Sequence, residues 1–272
     1  MTSLVQIPDD LLYPSSDGNP MAENTLQYRW IVMIKENLEI LFAKDPHVFI
    51  AGDLLWYPIQ VSEIPVHETR APSQAPDVMV VFGVNKGDRP SYKQFRENNI
   101  PPQVVFEILS ESNRTAKGRE AMQQKFEFYQ RYGVEEYYVY DPDERVLQGW
   151  QRQGQELVPI PTMNQWVSPR LGIRFEWQPG QELVLYYPDG RRFLSSIELA
   201  EQAELAQRQA ALAQQQAALA QQQAELAQQR EQTERQRAEY ERSQKELAQQ
   251  RAEQLAAYLR SIGINPDEIP PP

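Results

Sequence analysis

Residues 103–140 read QVVFEILSESNRTAKGREAMQQKFEFYQRYGVEEYYVY. Gln103–Leu109 is an apolar run of strand length. From Thr115 to Tyr132 the pattern becomes helical, because Met122, Phe126, Tyr129 and Tyr132 share one face. Gly133 ends that helix, since glycine takes the left-handed cap conformation without a steric penalty. Val134–Tyr140 then returns to a short strand, closed by Asp141-Pro142.

Outward from this strand–helix–strand core, Asp77–Phe82 (DVMVVF) reads as a buried strand and Val48–Pro58 (VFIAGDLLWYP) as another. Asn24 caps a helix running to about Phe42, with Trp30, Ile31, Ile34, Leu38 and Leu41 on its apolar face. Gly83–Asn99 reads as a charged loop. The order helix, strand, strand, strand, helix, strand predicts a mixed α/β sheet flanked by helices. Val146–Trp150, Leu157–Ile160, Ile173–Trp177, Leu183–Tyr187 and Arg192–Leu194 read as short strands separated by turns, an antiparallel addition.

Composition changes sharply near residue 195. All five Trp precede it; beyond it Ala, Gln, Glu, Arg and Leu dominate. Leu205, Leu212, Leu219 and Leu226 recur every seven residues, Thr233 and Tyr240 take the next two places, and Leu247 resumes. That period predicts a long helix suited to a coiled coil. Gln202, Gln209, Gln216 and Gln223 occupy the companion positions and weaken the seam. The expected organisation is an irregular lead-in over 1–23, a globular domain over 24–194, a helix over 195–262 and a loose end, GINPDEIPPP, over 263–272.

The 272-residue chain has a net charge of −11 and no cysteine. Disulfides and thiolate metal sites are excluded, and a reducing, cytoplasmic location is expected. Met1–Pro20 lacks a basic start followed by an apolar run, so no signal peptide is expected. No stretch is apolar for long enough to span a membrane. Between Glu198 and Arg260 there are 8 Lys/Arg and 10 Asp/Glu, so the remainder carries −9 of the −11. Bulk phosphate binding by a basic surface is not advertised. His47 and His67 sit in separate loops and make neither a metal site nor a triad. There is no Gly-rich phosphate loop and no Gly-x-Ser-x-Gly.

Chemistry concentrates on two acids in apolar strands. Asp77 follows Pro76 at the head of DVMVVF, and Glu107 lies inside QVVFEIL. An acid in a buried strand is costly unless it is paired or metal-bound. Strands about thirty residues apart in sequence can lie side by side and bring the two carboxylates together. Their repulsion is relieved by a hard divalent cation, Mg²⁺ or Mn²⁺.

Three ordered segments, APDVMVV (75–81), PPQVVFEILSES (101–112) and KFEFYQRYGVEEYYVYDPD (125–143), resemble the signature of the Uma-two family. These are restriction-endonuclease-like proteins of the PD-(D/E)XK superfamily. The resemblance spans about Asp17 to Leu194. A cyanobacterial subgroup also carries a Gln/Glu/Arg-rich helix ending in a phrase like LRSIGINPDEI, which this chain has at 259–269. The resemblance implies a restriction-endonuclease-like fold and a Mg²⁺-dependent endonuclease acting on nucleic acid, DNA before RNA. It implies Asp77 and Glu107 as catalytic metal ligands and an acid on the first helix, for which Glu23 is the candidate; Asp53, in the preceding strand, is a lesser candidate for a further ligand. The superfamily lysine should stand at 109, where this chain has Leu109. Lys125, on the following helix, is the expected substitute, and Lys117 the alternative. Tyr129, one turn beyond Lys125, can present its hydroxyl to the same place, although its ring reads first as packing. Arg96, Arg114, Lys117 and Arg119 are expected to offer a local basic patch. Ser110 and Asn113 read as turn or cap residues. The competing expectation is an inactive binding or scaffold module. In either case the core or the C-terminal helix could form a homodimer.

Overall fold

The computed structural model describes residues 9–16, 18, 21–63 and 71–263. His67, the first eight residues and the INPDEIPPP end from residue 264 lie outside the described residues. The chain divides into two compact units, Met1–Ala200 and Glu201–Pro272.

In the first unit, α1 is a single turn, Asp9–Leu12, inside the stretch expected to be irregular. Asp9 anchors it, accepting from Lys93 at 2.5 Å and from Arg96 at 2.6 and 2.9 Å. Helix α2 is Thr25–Leu41, and the Asn24 side chain accepts from Gln27 N–H at its start, as expected of that cap. The strands are β1 (Val48–Ala51), β2 (Trp56–Tyr57), β3 (Val78–Phe82), β4 (Tyr92–Lys93) and β5 (Val104–Ile108). Helix α3 is Ala116–Tyr132, followed by β6 (Glu136–Asp141), β7 (Val146–Gln153), β8 (Glu156–Pro159), β9 (Arg174–Glu176) and β10 (Val184–Tyr186). Gly133 caps α3 at φ 99°.

The main sheet has six strands in the order β1-β3-β5-β6-β7-β8. Its only parallel pair is β5 with β6, joined by α3. A parallel pair needs such a crossover, whereas the other neighbours are antiparallel. Strand alternation splits the core into two faces. Val78, Val80, Val104, Phe106 and Ile108 pack with Trp30, Ile31, Ile34 and Leu38 of α2. Met79, Val81, Val105 and Val139 pack with Phe128 and Tyr129 of α3.

Four readings need correction. Val48–Pro58 is not one strand: β1 stops at Ala51, and Asp53 turns the chain at φ 47°. Its N–H reaches the carbonyls of Pro76 and Asp77, which replaces the lost ladder. The loop from Gly83 contains β4, which pairs in parallel with β2. Arg192–Leu194 makes only an isolated bridge to Tyr186. The antiparallel addition is also divided, because β7 and β8 extend the main sheet while β9 and β10 form a separate pair. Buried Glu136 fastens that region to β6. It accepts from Tyr138 OH at 2.9 Å, from Arg170 N–H at 2.8 Å and from Ser168 OH.

Helix α4 runs Ser196–Ser261 and buries none of its residues. Ser195 and Glu198 cap each other reciprocally at its start.

Candidate active site

β3 and β5 pair with Val78 opposite Phe106, so one further step of the register sets Asp77 opposite Glu107. Both acids therefore leave the sheet on the α3 side, one residue out of phase with the face covered by α2. Both are buried, at 7 % and 2 % exposure.

Helix α3 brings Lys125 and Tyr129, spaced four apart on one face, down onto Glu107. Lys125 Nζ lies 2.6 Å from Glu107 Oε2 and 3.3 Å from the Ala75 carbonyl. Tyr129 OH donates to Glu107 Oε1 at 2.5 Å. Asp77 Oδ2 accepts from Ile108 N–H at 2.6 Å, which leaves Oδ1 for a further partner.

Burial pushes the Asp77 carboxyl up to about 8, and the neighbouring Glu107 adds to the rise. The Lys125 ammonium and the Ile108 N–H work against it without cancelling it. Burial also works against the Lys125 ammonium, but Glu107 and Asp77 outweigh it and hold its pKa above the ordinary lysine value. Lys125 thus stands as an ammonium against Glu107. Burial raises the Tyr129 hydroxyl far above the usual tyrosine range, so it serves as a donor.

A cavity of about 530 Å³ opens over these groups. Its far wall is Glu23, just before α2, which accepts from the hydroxyls of Ser110 at 2.6 Å and Ser112 at 2.5 Å. Those two bonds hold the Glu23 carboxyl below its normal pKa. Gln27 donates its amide to the Ile108 carbonyl at 2.8 Å, fastening the first turn of α2 to the end of β5. Ser110 and Asn113 form a capping box over the 3₁₀ turn Glu111–Arg114, the cap role read from sequence. Gly118 packs that turn on α3: a Cβ there would stand 2.1 Å from the Ser112 carbonyl oxygen.

The other candidates fall into place unevenly. Lys117 is exposed at the same cavity, whereas Lys125 alone reaches Glu107. Asp53 also lines it and acts electrostatically on both Asp77 and Lys125. Among the described residues, no set of three or more His, Asp or Glu converges as a metal cage. The expected four-residue basic patch does not assemble. Arg96 is taken by Asp9, and Arg114 by Asp141 at 2.6 Å and Asp143 at 2.9 Å. Arg119 bonds the Arg114 carbonyl. The Glu23–Ser110–Ser112 link was missing from the sequence reading, because no periodicity relates residue 23 to a turn near 110. Among the described residues, no helix is long and apolar enough to cross a membrane.

The Uma2 family model, described as "Putative restriction endonuclease", matches residues 28–185. No curated protein matches the chain. Among solved structures, the chain is similar to "a putative nuclease belonging to DUF820 from Anabaena variabilis ATCC 29413". That similarity has 14% identity and a TM-score of 0.36, over 57% of this chain and 79% of that one. The family match covers more than half of the chain and contains Asp77, Glu107, Lys125 and Tyr129; the chain belongs to the Uma2 family of restriction-endonuclease-like proteins.

Proposed function

We propose that this protein is a Mg²⁺-dependent endonuclease that hydrolyses phosphodiester bonds in DNA, with Asp77, Glu107 and Lys125 as its catalytic residues. The observation that carries the reading is the buried, directly opposed Asp77–Glu107 pair set against the Lys125 ammonium. The family description, restriction endonuclease, supports DNA as substrate.

The donor set fits a hard cation. Asp77 and Glu107 supply oxygen ligands only, and Asp77 keeps one oxygen uncommitted. Mg²⁺ characteristically takes one or two carboxylates and completes its shell with water and substrate phosphate; Mn²⁺ accepts the same donors. The want of a third converging acid among the described residues is compatible with that habit. When bound, the ion supplies Lewis acidity toward the phosphoryl oxygen and makes water more acidic.

The chain's own groups do the rest. Ile108 N–H fixes the Asp77 carboxylate, and Tyr129 OH fixes Glu107. The Lys125 ammonium stabilises the negative charge that builds on the phosphate. It takes the role that Leu109, just past the end of β5, cannot fill. Lys117 at the cavity mouth offers a cation to the phosphate backbone. Asp53 tunes the field on Asp77 and is a lesser candidate ligand.

The catalytic unit of this proposal is residues 24–194, with 195–262 as an appended helix. We propose that the helix pairs with a second copy through Leu205, Leu212, Leu219 and Leu226, each about half exposed along α4. The cysteine-free sequence supports a cytoplasmic location.

The test is cleavage of DNA and RNA with Mg²⁺ or Mn²⁺, beside Asp77→Ala and Glu107→Ala. Metal-dependent cutting by the parent and its loss in both variants is expected. Equal activity in all three would remove Asp77 and Glu107 from the reaction, and none in the parent would leave the inactive-scaffold reading in place.

A further inference from the structure

A second cavity, of about 280 Å³, lies on the neighbouring flank of α3. Gly118, Ala121 and Lys125 face the carboxylate cavity, whereas Arg119, Met122 and Phe126 face this one. The helix is the ridge between them.

One wall of the second cavity is aromatic. Trp150 stacks on Tyr137, with ring centres 5.3 Å apart and 25° between planes. Phe126 meets Trp150 edge-on at 5.6 Å. Tyr137 is buried, but Phe126 and Trp150 are only partly so, which leaves ring surface facing the hollow. The rim carries planar polar groups, Arg119 and Gln148, both exposed. Rings for stacking, with amide and guanidinium groups in reach of an edge, are what a nucleobase requires. A lipid or alkyl ligand would leave the polar rim unused. Arg119 also matches the negative charge of a nucleotide.

The two cavities adjoin at one end of the α3 ridge. Asn113 lines both. Glu107 borders the first and Leu109 the second, two residues or about 7 Å along extended chain. That is close to the step between successive phosphates of an extended single strand. A strand with one phosphate at the Asp77–Glu107 pair can therefore lay an adjacent base over the α3 ridge.

We propose that the Phe126–Tyr137–Trp150 cavity is a nucleobase subsite, which takes one unpaired base next to the phosphodiester at the carboxylates. The proposal rests on the nuclease reading and deepens it by naming the form of the substrate. A base held in a duplex cannot reach the rings without leaving its stack. Single-stranded, gapped or mismatched DNA is therefore preferred over perfect duplex.

The test is binding, not cleavage, so it stands apart from the activity assay. The full-length protein is titrated against a fluorescently labelled single strand, the same strand with abasic positions, and the matching duplex, in Ca²⁺ and again in chelator. The intact strand is expected to bind about tenfold or more tightly than the abasic strand, the effect of one stacked base. Met122→Trp, which fills the cavity, should abolish that difference while leaving duplex binding unchanged; its fold is checked by its melting temperature. Equal affinity for intact and abasic strands, or no measurable binding of either, overturns the subsite. Base-dependent binding without any metal-dependent cleavage keeps the subsite and removes the nuclease reading instead.

Discussion

Lys125 Nζ and Glu107 Oε2 stand 2.6 Å apart, joining the middle of α3 to the middle of the sheet across 18 residues of sequence. The glutamate side chain is 3 % exposed and the lysine 22 %, so the pair is shielded on one side and open to the cavity on the other.

Removing the cation leaves a buried carboxylate without compensation, which costs several kcal/mol in a fully buried pair. The partial exposure of Lys125 discounts this to about 2 kcal/mol for Lys125→Met. Glu107→Gln in the same chain should recover part of the loss. Denaturant melts of the two single variants and the double variant give the coupling, and strict additivity would show that the pair does not act as a unit.

Tyr129→Phe removes one hydrogen bond to a charged acceptor in a fully buried place. About 1.5–3 kcal/mol of stability should go with it. If Tyr129 orients Glu107 for catalysis, kcat falls with KM unchanged in the same assay. A melting shift with unaltered kcat would confine the hydroxyl to packing.

Gly118→Ala drives a methyl group against the Ser112 carbonyl. The turn must shift, at about 1–3 kcal/mol, and Ser112 moves away from Glu23. Adding Glu23→Gln should then cost less than it does in the parent, a comparison that melting curves can make.

Asp141 supplies a pH prediction. Burial alone would raise its pKa, but the Arg114 hydrogen bonds, with N–H groups of Glu144 and Asp143, carry it below the ordinary value. A carboxyl lowered in the folded state stabilises the fold above its unfolded pKa and loses that contribution as pH falls through the folded pKa. The parent should lose stability below about pH 4. Arg114→Leu should be less stable at pH 7 and show a shallower acid limb. An identical acid limb in the variant would deny the linkage.

For the tail, sedimentation of the full chain against a chain ending at Ala200 separates the alternatives. A dimer that becomes a monomer on truncation is expected. Equal oligomeric states would remove the paired-helix proposal.

Much of the sheet was legible because its strands are unbroken apolar runs and its helices carry clear 3.6-residue periodicity. DVMVVF and QVVFEIL are one strand each, and their acids meet as expected. Asn24 and Gly133 marked helix ends through their own backbone chemistry. Asp53 was misread because VFIAGDLLWYP keeps its apolar character through a turn, and composition does not reveal a left-handed residue. The basic patch was misread for a different reason. Arg96 and Arg114 are near the site in sequence, but Asp9, Asp141 and Asp143 claim them in space, and sequence proximity says nothing about competing partners.

The link from Glu23 to Ser110 and Ser112 spans nearly ninety residues, and β5 needs β6 beside it as well. No fragment ending before about residue 141 contains the Asp77–Glu107–Lys125 cluster with both sheet neighbours in place. During synthesis the site stays incomplete until both sheet neighbours and the first turn of α2 have closed on the same strand. Proteolytic nicking that frees the N-terminal segment should likewise open the site while most of the sheet survives. The integrity of this site thus depends on that of the whole N-terminal half.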